Sequence, residues 1–421
     1  MTLFGGVIPV TGITFLMFCV LAIAATGYAL GRITVKGICL GDAAVFIMAL
    51  VFGALFFTNL EGQLMIKGAA ESLSYANSAL KIIESLGLIL FVTSVGFIAG
   101  PKFFGNMKKN FKSYVLLGLV IILAGGLSAV LCITIGRSIG FGSTIDTSEG
   151  FTAMIVGLLS GSLTSTPAFA AAKATVNEIY EPLVSVGHGI AYIFGVLGVV
   201  LFVQIIPKLT KANMDEERAK LVLADDAPKK KAYTGKLLEL DEHGFGVFAL
   251  AAVVGALLGA IKIPLSGDGL SGTCFALTTT GGCLLASLVF GHFGRIGKLS
   301  IMPKNSTLKL LRELGLMLFL IGAGIPGGAG FVANFDIMYF VYGIIMTILP
   351  LIVGYLFARY VLKLSLLNNL GSITGGMTST PALGTLINTA GTEDVAAAYA
   401  ATYPIALIAV VLVSQFLIIL F

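Results

Sequence analysis

A five-residue string, Thr-Ser-Thr-Pro-Ala, occurs twice in the chain, at Thr164–Ala168 and Thr378–Ala382. Each copy follows a glycine-rich approach, Gly157-Leu-Leu-Ser-Gly161 in the first and Gly371-Ser-Ile-Thr-Gly375 with Gly376 in the second, and the two align without gaps. Proline suits the first turn of a helix, where the N–H it lacks would have no partner, and the threonine ahead of it is a good N-cap. Thr166-Pro167 and Thr380-Pro381 therefore predict the starts of short helices, near 167–176 and 381–390, each entered through a turn. A helix N-terminus presents unpaired N–H groups and partial positive charge, so two such ends brought together attract a carboxylate. The hydroxyls of Thr164, Ser165, Thr378 and Ser379 can add hydrogen bonds or line a small-ion site. The competing reading, in which Ser and Thr only satisfy the backbone at a helix break, holds well for one copy and poorly for two at matching places.

The elements around these strings are those of a membrane protein. Hydrophobic residues fill 57% of the 421 positions and charged residues only 11%, against about 25% charged in a soluble domain. About 20 apolar residues cross the hydrocarbon core as a helix. Runs of that kind predict an all-α polytopic fold of ten spans, near 7–30, 39–58, 83–100, 112–136, 183–207, 243–262, 274–292, 310–331, 335–360 and 398–420. The first of these has no basic leader or small-residue cleavage site and reads as a retained span. Segments 150–175 and 364–390, which carry the two strings, are apolar yet rich in Gly, Ser and Thr.

Loop charge gives the orientation. Short loops rich in Lys and Arg stay on the cytoplasmic side, which places Arg32 and Lys36 inside, with Lys102, Lys108 and Lys109, the lysines of the linker 208–242, Arg295 and Lys298, and Arg359 and Lys363. Segment 150–175 then enters and leaves from outside and segment 364–390 from inside, so both are expected to be re-entrant and both termini external. Five spans per half is an odd number, so the halves, 1–207 and 243–421, are expected to be inverted relative to each other.

Further matches run in the same order along both halves, which signals duplication. Gly87-Leu-Ile-Leu-Phe aligns with Gly315-Leu-Met-Leu-Phe, Gly96 and Gly100 with Gly324 and Gly328, Tyr192 with Tyr403, and Gln204 with Gln415. Transporters built from inverted repeats bind substrate near the midplane, where their discontinuous helices meet. Tyr192 and Tyr403 either frame that substrate or pack. His188 reads first as a packed, satisfied histidine and second as a proton relay. Glu84, Arg312 and Glu313 read as interfacial, and Lys173 either neutralises a carboxylate or marks a solvated hairpin end.

Several classes are disfavoured. The net charge of +5 belongs to loop lysines and arginines rather than to a nucleic-acid surface. The five cysteines have neither metal nor redox spacing, and three histidines offer no catalytic set, so neither an enzyme nor a cofactor is expected. No Asp-Asp or Asn-Asp pair lies mid-span, as a cation/proton antiporter would need. An organic anion or zwitterion is the better substrate class.

The duplicated Gly-x-x-x-Gly-x-x-Thr-Ser-Thr-Pro-Ala motif resembles the aspartate–alanine exchanger family, and the likeness extends over nearly the whole membrane part. The resemblance implies a secondary transporter of amino acids or dicarboxylates in a bacterial inner membrane, aspartate for alanine or succinate. It also implies an internally duplicated, elevator-type dimer. It places the substrate at Gly161 and Thr164–Ala168 and at Gly375 and Thr378–Ala382. Many members carry soluble regulatory domains between the halves, and the linker of about 35 residues here is too short for either.

Overall fold

The computed structural model describes residues 2–3, 8–9, 11–35, 38–39, 43–65, 74–106, 111–140, 147–221, 238–264, 274–392 and 394–421. The middle of the linker, with Lys229–Lys231, and the loop lysines Lys36, Lys108 and Lys109 lie outside the described residues.

The described chain is almost wholly helical. The first half provides α1 (Gly12–Gly31), α2 (Ala43–Gln63), α3 (Ala76–Asn106), α4 (Leu116–Ser138), a short pair α5 (Ser148–Ser162) and α6 (Thr166–Thr175), and α7 (Glu181–Leu209). A six-residue helix, α8 (Met214–Ala219), lies in the linker. The second half provides α9 (Phe245–Gly259), α10 (Thr278–Phe293), α11 (Asn305–Asn334), α12 (Ile337–Leu356), a second short pair α13 (Leu366–Gly376) and α14 (Thr380–Ala390), and α15 (Val395–Leu420).

Among the described residues, eight helices, α1, α2, α3, α4, α7, α11, α12 and α15, are long and apolar enough to cross a bilayer. Their outer faces carry bare leucines, such as Leu21, Leu55, Leu123 and Leu127. Apolar surface on this scale suits lipid and not water, so this is a multi-pass membrane protein. The ten expected spans are thereby corrected to eight such helices. α9 and α10, expected at 243–262 and 274–292, have 15 and 16 residues. The reason is local: Lys262–Pro264 pairs antiparallel with Cys274–Ala276, taking into a hairpin residues that hydropathy alone assigns to helix.

The helices pack as two groups. A panel runs side by side in the order α1, α2, α11, α3, α10, α9, with α3 and α11 making the most extensive contact at its centre. A Cβ on Gly87 would meet the Gly315 carbonyl and Phe319 N, and one on Gly315 would meet the Gly87 carbonyl and Phe91 N. A Cβ on Gly322 would meet Glu84 in the same way. Residue numbers rise on α3 as they fall on α11, so the two helices are antiparallel. Their backbones touch where glycine leaves room for the partner carbonyl. The remaining helices, α4, α5, α6, α7, α12, α13, α14 and α15, form a bundle. Its interior is a large apolar cluster built on Leu117, Ile121, Phe151, Leu158, Phe169, Met346 and Ile373.

Candidate functional site

The two short helix pairs are broken in the same way. α5 ends at Leu163, and Thr164 takes a left-handed conformation with φ 51°. Ser165 N then donates to Ser160 O over 2.8 Å and Thr164 N to Gly161 O over 2.9 Å. α13 ends at Met377, Thr378 also has φ 51°, Ser379 N donates to Thr374 O over 3.0 Å and Thr378 N to Gly375 O over 3.1 Å. These are Schellman ends, which satisfy the last carbonyls of a helix and normally use glycine at the left-handed position. A β-branched residue there is a genuine outlier and costs roughly 1–3 kcal/mol.

The two halves hold those threonines in place for each other. Thr164 Oγ1 donates to Met377 O at 3.1 Å, and Thr378 Oγ1 donates to Leu163 O at 2.8 Å. Leu163 and Met377 are equivalent positions, so the bonds are reciprocal. The two breaks therefore meet tip to tip in the protein interior.

Packing also gives the direction of the chain on either side of each break. A Cβ on Gly157 would strike the Val184 carbonyl, and one on Gly161 would lie 2.4 Å from the His188 carbonyl. Likewise Gly371 abuts the Val395 carbonyl, and a Cβ on Gly375 would lie 2.6 Å from the Tyr399 carbonyl. Numbers rise together on α5 and α7, and on α13 and α15, so each pair of helices is parallel. The chain must turn back between them, and α6 and α14 are the returning arms. Ten helical residues cover about 15 Å, roughly half the hydrocarbon thickness.

The expected N-caps need correcting by one residue. Ser165 and Ser379, not Thr166 and Thr380, hold the extended cap conformation, and proline falls in the first turn behind the threonine. Ser165 Oγ accepts from Ala168 N at 3.3 Å. Ser379 Oγ is buried and finds no hydrogen-bond partner among the described residues. Among the four hydroxyls expected to serve a ligand, Thr164 and Thr378 are committed to the cross-link and Ser165 to its cap.

The other expected site residues divide between backbone packing and the neighbourhood of the tips. Gly161, Gly375 and Gly376 sit where a Cβ would collide with α7, α15 and Ile121 respectively. Their role is close approach. Pro167, Ala168 and Ala382 are buried, and Thr166 is half-buried; the side chains of Thr380 and Pro381 lie outside the described residues. Tyr192 and Tyr403 are half-buried and each faces a ring one turn earlier. The Tyr192 ring is 5.2 Å from His188, and Tyr403 stacks on Tyr399 at 5.0 Å.

His188 is packed but only half satisfied, which corrects the expectation for it. Its ring stacks on Phe169 at 4.2 Å, with Phe46 edge-on. Nδ1 lies 2.8 Å from Ser160 Oγ, whose own hydrogen goes to Gly157 O. Nδ1 is therefore assigned as the donor, and Nε2 is left as a bare acceptor, buried with no partner among the described residues. Glu84 also departs from expectation, and of the two readings of Lys173 the one in which it neutralises a carboxylate holds. Neither is solvated or interfacial: both are buried, and Lys173 Nζ lies 2.9 Å and 3.0 Å from the two carboxylate oxygens of Glu84. Their separation of 89 residues leaves no local signal of the pairing.

A second arrangement that sequence reasoning missed lies in the linker. Glu217 accepts from Leu366 N at the start of α13, and Arg218 donates to Ala390 O at the end of α14. Anion at an N-terminus and cation at a C-terminus both complement the helix dipoles. Met214 and Leu221 pack with Leu366, Leu367, Leu386 and Ala390 beneath them. Thus α8 clips the two open ends of the second helix pair together.

Buried helix breaks meeting inside a polytopic helical protein belong to the class of membrane carriers. A family model described as Predicted Permease Membrane Region, that of the aspartate–alanine exchangers, matches residues 18–208 and 247–419. The chain belongs to this permease family. It is similar to an uncharacterized transporter of Bacteroides thetaiotaomicron, 25% identical over 94% of this chain and 97% of that protein. An uncharacterized transporter of Geobacter sulfurreducens is 23% identical over 94% and 96%, and one of Corynebacterium glutamicum 24% identical over 96% and 98%. The first alignment runs over 554 positions, more than the 421 residues here, so that relative is longer within the aligned stretch.

Proposed function

We propose that the protein is a secondary active exchanger of small carboxylates or amino acids, of the size of aspartate, alanine or succinate, working by alternating access. The carrying observation is the pair of reciprocal bonds between Thr164 and Met377 and between Thr378 and Leu163. They hold two helix N-termini together at depth, and partial positive charge from both ends favours one carboxylate between them. Ser379 Oγ, buried and uncommitted, supplies a donor for it. In this reading the halves 1–207 and 243–421 are inverted repeats joined by a cytoplasmic linker at 208–242. The segments at α5–α6 and α13–α14 are re-entrant from opposite faces, and both termini are external. The bundle carries substrate past the panel, which forms the contact of a homodimer in the bacterial inner membrane.

The test is counterflow in proteoliposomes with radiolabelled L-aspartate, L-alanine and succinate. Uptake of at least one is expected, driven by unlabelled substrate inside without an ion gradient. In the Ser379→Ala variant that uptake is expected to fall while folded yield stays level. Unchanged kinetics there would remove the motif from the site, and ohmic single-channel currents would replace a carrier with a pore.

A second reading, proton-coupled symport of a similar organic acid, is favoured by the bare Nε2 of His188. An obligatory proton gradient that His188→Gln abolishes would establish it over exchange.

A further inference from the structure

Four charged residues meet where the panel faces the bundle. Lys81 and Glu84 stand one turn apart on α3, in the panel; Lys173 stands on α6 and Glu181 on α7, in the bundle. Lys173 pairs with both carboxylate oxygens of Glu84 and lies 3.7 Å from Glu181 Oε2, while Lys81 also pairs with Glu181. The Lys173–Glu84 and Lys81–Glu181 pairs cross from one helix group to the other, while Lys173 and Glu181 both belong to the bundle. The inner pair is out of water, with Lys173 3% and Glu84 5% exposed, and Lys173 Nζ also stands 5.9 Å from the Phe169 ring centre.

Elsewhere the described contact is largely apolar, apart from Gln415 Nε2 on α15, which donates to Ala276 O ahead of α10 over 3.0 Å. Phe46 on α2 and Phe319 on α11 lie against Phe169 and His188, and apolar attraction is non-directional. Such surfaces slide past one another at little cost. A buried ion pair is directional, and separating it leaves two charges without compensation in a medium of low dielectric. The second half has no counterpart by alignment. Ile387 matches Lys173, and Arg312 and Lys309 match Glu84 and Lys81.

We infer that Glu84 and Lys173 form a one-sided latch between panel and bundle, and that this pair must part whenever the bundle moves. The two are positioning residues: they hold the α5–α6 arm in one register against α3 and set how often the bundle leaves it. The latch rests on the alternating-access reading but not on any particular substrate, so it is tested by a distance.

Nitroxide labels go on Ile82→Cys and Ile179→Cys, exposed positions beside Lys81 and Glu181, in full-length protein in proteoliposomes with the native cysteines replaced by alanine. Pulsed EPR is expected to give one narrow distance. In Glu84→Met/Lys173→Met, which leaves no buried charge, a second distance is expected, its population raised at least about tenfold. The charge-swapped Glu84→Lys/Lys173→Glu is expected to return the single distance. A distribution in the double-methionine variant that matches the parent overturns the latch. A shifted distribution without counterflow of aspartate, alanine or succinate upholds the latch and removes the proposed substrates instead.

Discussion

The two helix pairs, α5–α6 and α13–α14, are alike at their tips and unlike at their bases. At the tips the left-handed threonine, the Schellman bonds and the hydroxyl reaching the other half's carbonyl are matched residue for residue. At the bases, Lys173 ties the first pair to α3 through Glu84, whereas Glu217 and Arg218 tie the second to the linker. On the proposed reading, like tips with unlike attachments put ligand chemistry in the shared geometry and control of motion in the difference. The one asymmetry at the tips is a capping Ser165 against an uncommitted Ser379, and the proposed exchanger would place the ligand's own bond at Ser379.

The largest effect that would break this comparison concerns the first base. Lys173→Met alone leaves Glu84 buried without a partner and is expected to destabilise by about 3–5 kcal/mol, read by thermal unfolding in detergent. Glu84→Met/Lys173→Met is expected to recover most of that loss. A single variant as stable as the parent would show that the pair is not shielded from water. The tips come next. Thr164→Val and Thr378→Val each strand a buried carbonyl, costing about 1–3 kcal/mol, and the two losses are expected to agree. Clearly unequal losses would end the equivalence of the tips.

Ser165→Ala is expected to cost about 1 kcal/mol as a lost cap, while Ser379→Ala should leave the unfolding temperature in place and raise KM in counterflow. The reverse pattern would move the ligand to the first copy. Weaker still is the linker clip. Glu217→Gln and Arg218→Met should each cost about 0.3–1 kcal/mol, and amide exchange should quicken at Leu366 and around Gly391.

The smallest effect is one of pH. Backbone N–H donors at Gly246, Phe245, His243 and Gly244 hold the Asp241 carboxyl below its usual 3.8. A depressed folded value stabilises the start of α9 above the unfolded-state value and loses that support as pH falls through the folded one. Amide exchange at Phe245 and Gly246 is therefore expected to rise only below pH 3.8, and a rise near neutrality would assign it to another group.

Features carried by adjacent residues were readable in advance, and features made by folding were not. Thr-Ser-Thr-Pro is a local signal, so both breaks were visible, with the cap misplaced by one residue because proline is acceptable at either of the first two helical positions. Long apolar runs marked the eight described helices that are long enough to cross. Hydropathy overcounted α9 and α10 because it gives no weight to strand pairing between Lys262–Pro264 and Cys274–Ala276. Lys173 read equally as neutralising a carboxylate or as a solvated end, because its partner lies on another helix. His188 looked satisfied, and only the Ser160 contact reveals which nitrogen is bare.

The crossed threonine bonds carry a mechanical consequence. Each tip rests on the other's main chain, so neither arm can swing away alone without losing its own support and its neighbour's. If the proposed site is right, a solute held between them cannot be released by the arms parting like jaws. In the proposed exchanger it would leave by a side door, as the joined arms shift together past the panel.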